Sequence, residues 1–185
     1  SAGDRRGEAG VLVNLGNVYS GQNRQSRAVE VFEQAYTIFR ELDEPTGQAA
    51  ALTNLGDVLA ALGEYEAAAD RLDAALPLFR AAGHRNGEAT VWSNLGLLEL
   101  RKGAPGQAMH NLRTALRIFQ ETGHRYGEAS ARNGIGEALR AQGRHSEAQA
   151  CHQAALTIAA ETGDWDEQRR ALAALERLDA PARLA

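Results

Sequence analysis

The sequence predicts an all-α protein built from stacked helix pairs, and three observations carry that expectation. One pattern recurs along the chain at an offset of 40 residues, leucine and alanine recur at three- and four-residue spacing, and aromatic residues make up only 5% of the composition. Packed helices favour small and unbranched side chains, whereas strands favour β-branched and aromatic ones. The repeat is sharply defined. Gly16, Gly56, Gly96 and Gly136 align, preceded by Leu15, Leu55, Leu95 and Ile135, and Asn-Leu-Gly stands intact at 14–16, 54–56 and 94–96. Alanines follow in register as Ala28, Ala68, Ala108 and Ala148, then Ala35, Ala75, Ala115 and Ala155. Regular self-similarity of this length marks a repeat architecture in which each unit buries its apolar face against the next.

Each repeat reads as a first helix, a turn, a second helix and a second turn. The first turn falls at Asn23, Gly63, Gly103 or Gly143, and the second at Asp43, Gly83, Gly123 or Gly163. Helices commonly end on a left-handed residue, which Gly adopts readily and Asn or Asp less often. The repeats therefore span about residues 4–43, 44–83, 84–123 and 124–163. Pro45 and Pro105 fall at first helical positions, where a missing N–H costs nothing. Pro77 falls inside a second helix and predicts a kink there. Residues 165–178 match the start of a further first helix, with Glu176 in place of the motif glycine, and predict a cap on the stack. A mid-helix Gly costs about 1 kcal/mol against Ala, so four at equivalent positions predict close helix contacts. Phe32, Ala35, Ile38 and Phe39 show the matching apolar spacing on a second helix. Trp92 and Trp165 are expected in the core.

The composition narrows the functions. The chain has 185 residues, 44% hydrophobic and 24% charged, within the range of a foldable soluble domain. Its net charge of -4 gives no long-range attraction for nucleic acid or anionic lipid, so neither is an expected partner. It holds one cysteine, Cys151, and no apolar run long enough to span a membrane. A reducing, cytoplasmic setting is the simplest expectation. Because the chain opens without Met on Ser1-Ala2-Gly3, a segment of a longer protein is expected.

The spaced Leu-x-x-Leu-Gly and alanine pattern resembles the tetratricopeptide repeat across nearly the whole chain. Leu12, Leu52 and Trp92 supply the large residue before the motif, and Phe32, Leu72 and Leu112 the later one; the fourth copy departs with Arg132 and His152. The usual period is about 34 residues, so the longer one here implies longer helices. With Asn-Leu-Gly and linkers such as Gly83-His84-Arg85-Asn86-Gly87-Glu88-Ala89, the repeat is similar to those of Partner-of-Inscuteable-type adaptors, kinesin light chains and actinobacterial regulators. The resemblance implies a right-handed superhelical solenoid of four antiparallel helix pairs plus a C-terminal capping helix, forming one domain over residues 1–185. It also implies a non-catalytic scaffold for a protein or extended peptide, within a bacterial regulator. The alternative is a structural module that self-associates end to end or docks within its parent.

In such folds the first helix of each repeat lines a concave groove, and the implied lining is Asn14, Asn17, Asn54, Asp57, Asn94, Leu97, Arg101, Glu137 and Arg140. An asparagine amide offers donors and an acceptor to an extended backbone; the competing reading is that these amides cap or bridge helices. A carboxylate-gripping clamp is not expected, since Val13, Thr53 and Ser93 stand where a lysine would. The mixed charges imply a ligand of mixed character.

No catalytic residue, metal or cofactor is expected. His84 and His124 share one linker position, where capping suits them better than ligation. His145, His152 and Cys151 lack further ligands, and Cys151 lacks an activating partner, which favours a buried, inert thiol. Glu8, Glu88 and Glu128 recur near helix starts, where negative charge suits the dipole. Gly103-Ala104-Pro105-Gly106 lacks the Lys-Ser/Thr of a phosphate loop.

Overall fold

A computed structural model describes residues 2–179, and among these the secondary structure is entirely helical, with nine helices. They are α1 (Ala2–Gly21), α2 (Gln25–Glu41), α3 (Pro45–Leu62), α4 (Tyr65–Ala81), α5 (Arg85–Arg101), α6 (Pro105–Thr122), α7 (Arg125–Ala141), α8 (His145–Thr162) and α9 (Trp165–Asp179). Two compact units divide the chain at 94/95, inside α5.

The turns explain the helix boundaries. Asn23 and Asp43 take φ of 59° and 53°, and Gly63, Gly83, Gly103, Gly123, Gly143 and Gly163 are likewise left-handed. The residue after each one closes the preceding helix with its N–H, as Glu64 does to the Leu59 carbonyl at 2.9 Å. That same residue opens the next helix with its C=O, which accepts from Ala68 N–H at 2.9 Å. One residue thus satisfies an orphan carbonyl of one helix and an orphan N–H of the next, which permits connections this short. Pro45 and Pro105 begin α3 and α6. Pro77 lies inside α4, which continues as α-helix through it to Ala81.

In the first unit α1, α2, α3 and α4 pack in sequence. Their core includes Ala35, Ile38, Phe39 and Ala51, and beside it Ala28, Phe32, Leu55 and Val58. The motif glycines sit under large side chains. A Cβ placed on Gly56 would stand 2.6 Å from Leu72 Cγ and 3.2 Å from the Ala68 carbonyl. Gly16 makes the same approach to the Phe32 ring. A second set, unrecognised in the sequence, does this at the other end of the helices: a Cβ on Gly87 would lie 2.6 Å from the Phe79 ring, and Gly47 meets Phe39 likewise.

In the second unit α6 to α9 pack in sequence, and α7 also meets α9. The core here is Ala108, Met109, Leu112, Ile135, Ala138, Leu139 and Ala148, flanked by Cys151 and Leu178. Burial pushes the half-buried Cys151 thiol above its ordinary value, which suits an unreactive packing residue. Gly96 lies beneath Leu112, Gly127 beneath Phe119, and Gly136 beneath His152, whose ring would be 2.5 Å from an added Cβ. Trp165, expected in the core, is instead 75% exposed. It is the first residue of α9, in register with the exposed Arg85 and Arg125, so the buried stripe of its helix, Glu167, Ala171 and Ala174, passes it by.

Candidate functional site

The implied lining residues fall on the first helix of each pair. In the first unit Asn14 and Asn17 on α1 are exposed, Asn54 on α3 and Asn94 on α5 are half-buried, and Asp57 is exposed. The neighbours Leu55, Gly56, Leu95 and Gly96 are buried, so each of these two amides stands at the edge of a packed face. No side-chain hydrogen bond ties Asn14, Asn54 or Asn94 to another described residue. In the second unit Leu97 is half-buried, Arg101 is exposed, and Glu137 and Arg140 meet as an ion pair at 2.9 Å.

The linker residues are structural. His84 Nδ1 accepts from Gly87 N–H at 2.9 Å and His124 Nδ1 from Gly127 N–H at 3.0 Å, the capping role expected of them. Glu88 and Glu128 do more than favour a dipole, since each is only 7% exposed and sits within charged partners. Glu88 meets Arg80 of α4 at 3.0 Å and also Arg85, while Arg80 lies over the Trp92 ring. Glu128 meets Arg125 at 2.8 Å and Arg132 at 3.0 Å, with Gln120 where α4 carries Arg80. The arginine has exchanged helices while the carboxylate kept its charge. Burial alone would raise both carboxyls, but the guanidinium and amide hydrogen bonds, led by Arg80 for Glu88 and by Arg132 for Glu128, hold them below the ordinary carboxylate value.

A polar cluster gathers where α7, α8 and α9 meet. His152 takes the place held by Phe32, Leu72 and Leu112, and its side chain is 1% exposed. Its Nδ1 lies 3.1 Å from Asn133 Oδ1. Asn133 in turn donates through Nδ2 to the Glu167 carboxylate at 2.7 Å and to the Glu167 carbonyl at 3.2 Å. Asn133 precedes Gly134, which occupies the place of Asn14, Asn54 and Asn94; a one-residue shift, about a quarter-turn of helix, carries the amide inward, and Asn133 is 2% exposed.

Beside this chain of bonds a cavity of about 470 Å3 opens, with Asn133, Glu137, His152, Arg169, Arg170 and Arg177 among its walls. Glu137 bonds Arg177 at 2.6 Å, Arg170 bonds Glu167, and Arg169 bonds Asp166. Burial would raise the Glu137 carboxyl, but Arg140 and Arg177 bring it below its usual value. Burial also lowers His152 below the ordinary histidine value, against the pull of Glu137. The structure thus joins Glu137 and Arg140 of the implied lining to Asn133, His152 and Arg177, which that lining did not include. The signal in the sequence was the paired departure of one repeat, histidine at an apolar place and asparagine displaced by one. Among the described residues no group of three or more His, Cys, Asp or Glu side chains could hold a metal ion. No described helix is long and apolar enough to cross a membrane.

Family profiles described as tetratricopeptide repeat match residues 47–121, in one form, and residues 9–42 and 129–162 in another. No curated protein sequence matches this one. Among solved structures, BtubC (BKLC) from P. vanneervenii superposes with a TM-score of 0.68 at 24% identity, covering 85% of this chain and 65% of that one. A Rap protein complexed with competence and sporulation factor superposes with a TM-score of 0.83 at 18% identity, covering 94% and 52%. Aspartyl phosphate phosphatase F from Bacillus subtilis gives 0.80 at 18% identity, covering 94% and 45%. At these identities the likeness concerns the fold, and the chain spans about half to two thirds of the length of those three proteins.

Proposed function

Since the chain belongs to the tetratricopeptide repeat family, we propose that it is a non-catalytic scaffold whose first-of-pair helices bind a protein or an extended peptide, with neither nucleic acid nor membrane as a partner. The observation that carries this reading is the state of the asparagine amides. Asn14, Asn54 and Asn94 are accessible and make no side-chain hydrogen bond within the described residues, and Asn54 and Asn94 border the buried Leu55 and Leu95. A bridging role would occupy those donors and acceptors internally. Left open, they match the free N–H and C=O groups of an extended backbone. Asn17, Asp57, Leu97, Arg101, Glu137 and Arg140 supply mixed chemistry around them. The Rap structure, a like fold solved with competence and sporulation factor bound, supports a ligand of this kind, and a bacterial, cytoplasmic regulator is the setting we propose.

A displayed library of random peptides, selected on the chain and followed by calorimetric titration of an enriched sequence, tests the proposal. Asn54→Ala with Asn94→Ala should weaken that peptide by about 1–3 kcal/mol, the scale of shielded hydrogen bonds, with an unchanged melt. No enrichment, or equal affinity of the double variant, defeats it. A lowered melt assigns the amides to bridging.

A second reading, end-to-end association, has one observation in its favour. Val11, Leu15 and Val18 lie along one side of α1 and are 65%, 36% and 52% exposed. Sedimentation across a concentration series, with Val11→Glu and Val18→Glu as the disrupting pair, decides it.

A further inference from the structure

The cavity between α7, α8 and α9 has a donor and acceptor pattern that selects a ligand. The carboxylate and carbonyl of Glu167 both accept from Asn133 Nδ2, so the Asn133 carbonyl oxygen faces His152. An acceptor at 3.1 Å from Nδ1 fixes the proton of the neutral imidazole on Nδ1. Nε2 is then a bare acceptor. It is buried, has no hydrogen-bond partner among the described residues, and belongs to a residue that lines the cavity. Leaving such an atom unpaired costs about 1–3 kcal/mol. The apolar Leu72 and Leu112 fill the same place in sister repeats without that cost.

The second acceptor is the Glu137 carboxylate, whose Oε1 stands 4.0 Å from His152 Nε2. One nitrogen at ordinary bond lengths of about 2.9–3.0 Å can reach both. Donors come from α9, whose Arg169, Arg170 and Arg177 each retain N–H groups beyond those bonded to Asp166, Glu167 and Glu137. Because those three pairs cancel in charge, a full anion would compete with carboxylates already in place, and a cation would face three guanidinium groups. A neutral group with two donated hydrogens and one accepting oxygen fits both constraints.

We propose that this cavity receives the primary carboxamide of an asparagine or glutamine side chain. Its NH2 donates to His152 Nε2 and the Glu137 carboxylate, and its carbonyl accepts from an arginine of α9. A hydroxyl has one hydrogen and satisfies only one of the two acceptors. The proposal rests on the peptide-binding reading above and gives it a sequence preference, since amide-to-backbone contacts at Asn54 and Asn94 discriminate little between side chains.

The test uses acetyl-glutamine N-methylamide as probe, with the glutamate, leucine and serine counterparts as controls, followed by nitrogen-15 and amide NMR of the full chain. The expected result is saturable shifts at Asn133, Glu137 and His152 Nε2, with the glutamine probe bound about tenfold more tightly than each control, the equivalent of about 1.4 kcal/mol. His152→Leu, which copies the sister repeats, should abolish that preference. Equal binding of any control, absence of a saturable shift at His152 Nε2, or an undiminished preference in His152→Leu overturns the proposal. The Nε2 shift in the wild-type chain decides the matter even where the variant folds poorly. Since the probe is a single residue, its failure leaves the displayed-library result standing, and the two readings fail separately.

Discussion

Asn133 and His152 meet in the interior of the second unit at 3.1 Å, an amide oxygen facing an imidazole nitrogen on helices α7 and α8. Replacing Asn133 by Ala removes the one bond among the described residues that fixes the imidazole proton, and strips the Glu167 carboxylate of one donor. The expected cost is about 1–3 kcal/mol for the buried groups left unpaired, read as a lower urea midpoint with an unchanged slope.

His152 also sets how acid acts on the fold. Its folded value lies below the ordinary 6.5 because of burial, offset in part by Glu137 and reinforced by Arg177, Arg140 and Arg170. As the pH falls through 6.5 the unfolded chain takes up a proton that the folded chain refuses, so stability declines from there down to the folded value. The slope is at most about 1.4 kcal/mol per pH unit for one site. Glu88, Glu128 and Glu137 are depressed below 4.5, so their contribution is complete above that pH and lost as the pH falls through their folded values. Melting against pH should show two declining phases, and His152→Leu should remove the upper one.

Two glycines should respond to Ala in opposite directions. At Gly10 an added Cβ meets nothing within 4 Å, so Gly10→Ala should gain up to about 1 kcal/mol from helix propensity. At Gly56 the same atom would stand 2.6 Å from Leu72 Cγ, and overpacking of about 1–3 kcal/mol outweighs that gain. Thermal melts of the two variants, one raised and one lowered, check the pair.

The exchange of arginine between helices can be rebuilt by mutation. Arg80→Gln alone should destabilise by about 1 kcal/mol, the upper range for a partly exposed pair, because Glu88 keeps only Arg85 of its two guanidinium partners. Adding Trp92→Arg recreates the arrangement of Gln120, Glu128 and Arg132. A double-mutant cycle should give a favourable coupling between the two changes; additive effects would sink the equivalence.

Helix class and turn positions were legible because each depends on residues close in sequence. Asn23 and Asp43 were readable as left-handed by register with Gly63 and Gly83, and they are so. The closeness of Gly16, Gly56, Gly96 and Gly136 to a neighbouring helix was readable from their helix cost. Gly47, Gly87 and Gly127 escaped notice because their linkers resemble ordinary turns, and only packing shows Phe39, Phe79 and Phe119 pressed on them. The cluster around His152 escaped for a different reason. Asn133, His152 and Glu167 sit on three helices, and repeat periodicity aligns equivalent places without revealing which unlike places touch. The exposure of Trp165 shows the same limit, since side-chain size pointed inward while helical phase pointed outward.

The turn residues restrict how this chain can change in length. Glu64 closes α3 through its N–H and opens α4 through its C=O, and His84, His124 and Asp164 do the same at their own junctions. An inserted or deleted residue there must break one of the two bonds and also rotate the following helix by about 100°, turning its buried face toward water. Small insertions are therefore penalised at the very loops where most proteins accept them. Growth or shrinkage of such a chain is tolerated in whole repeats, so a tandem copy of residues 44–83 should be easier to accommodate than a single added glycine beside Gly63.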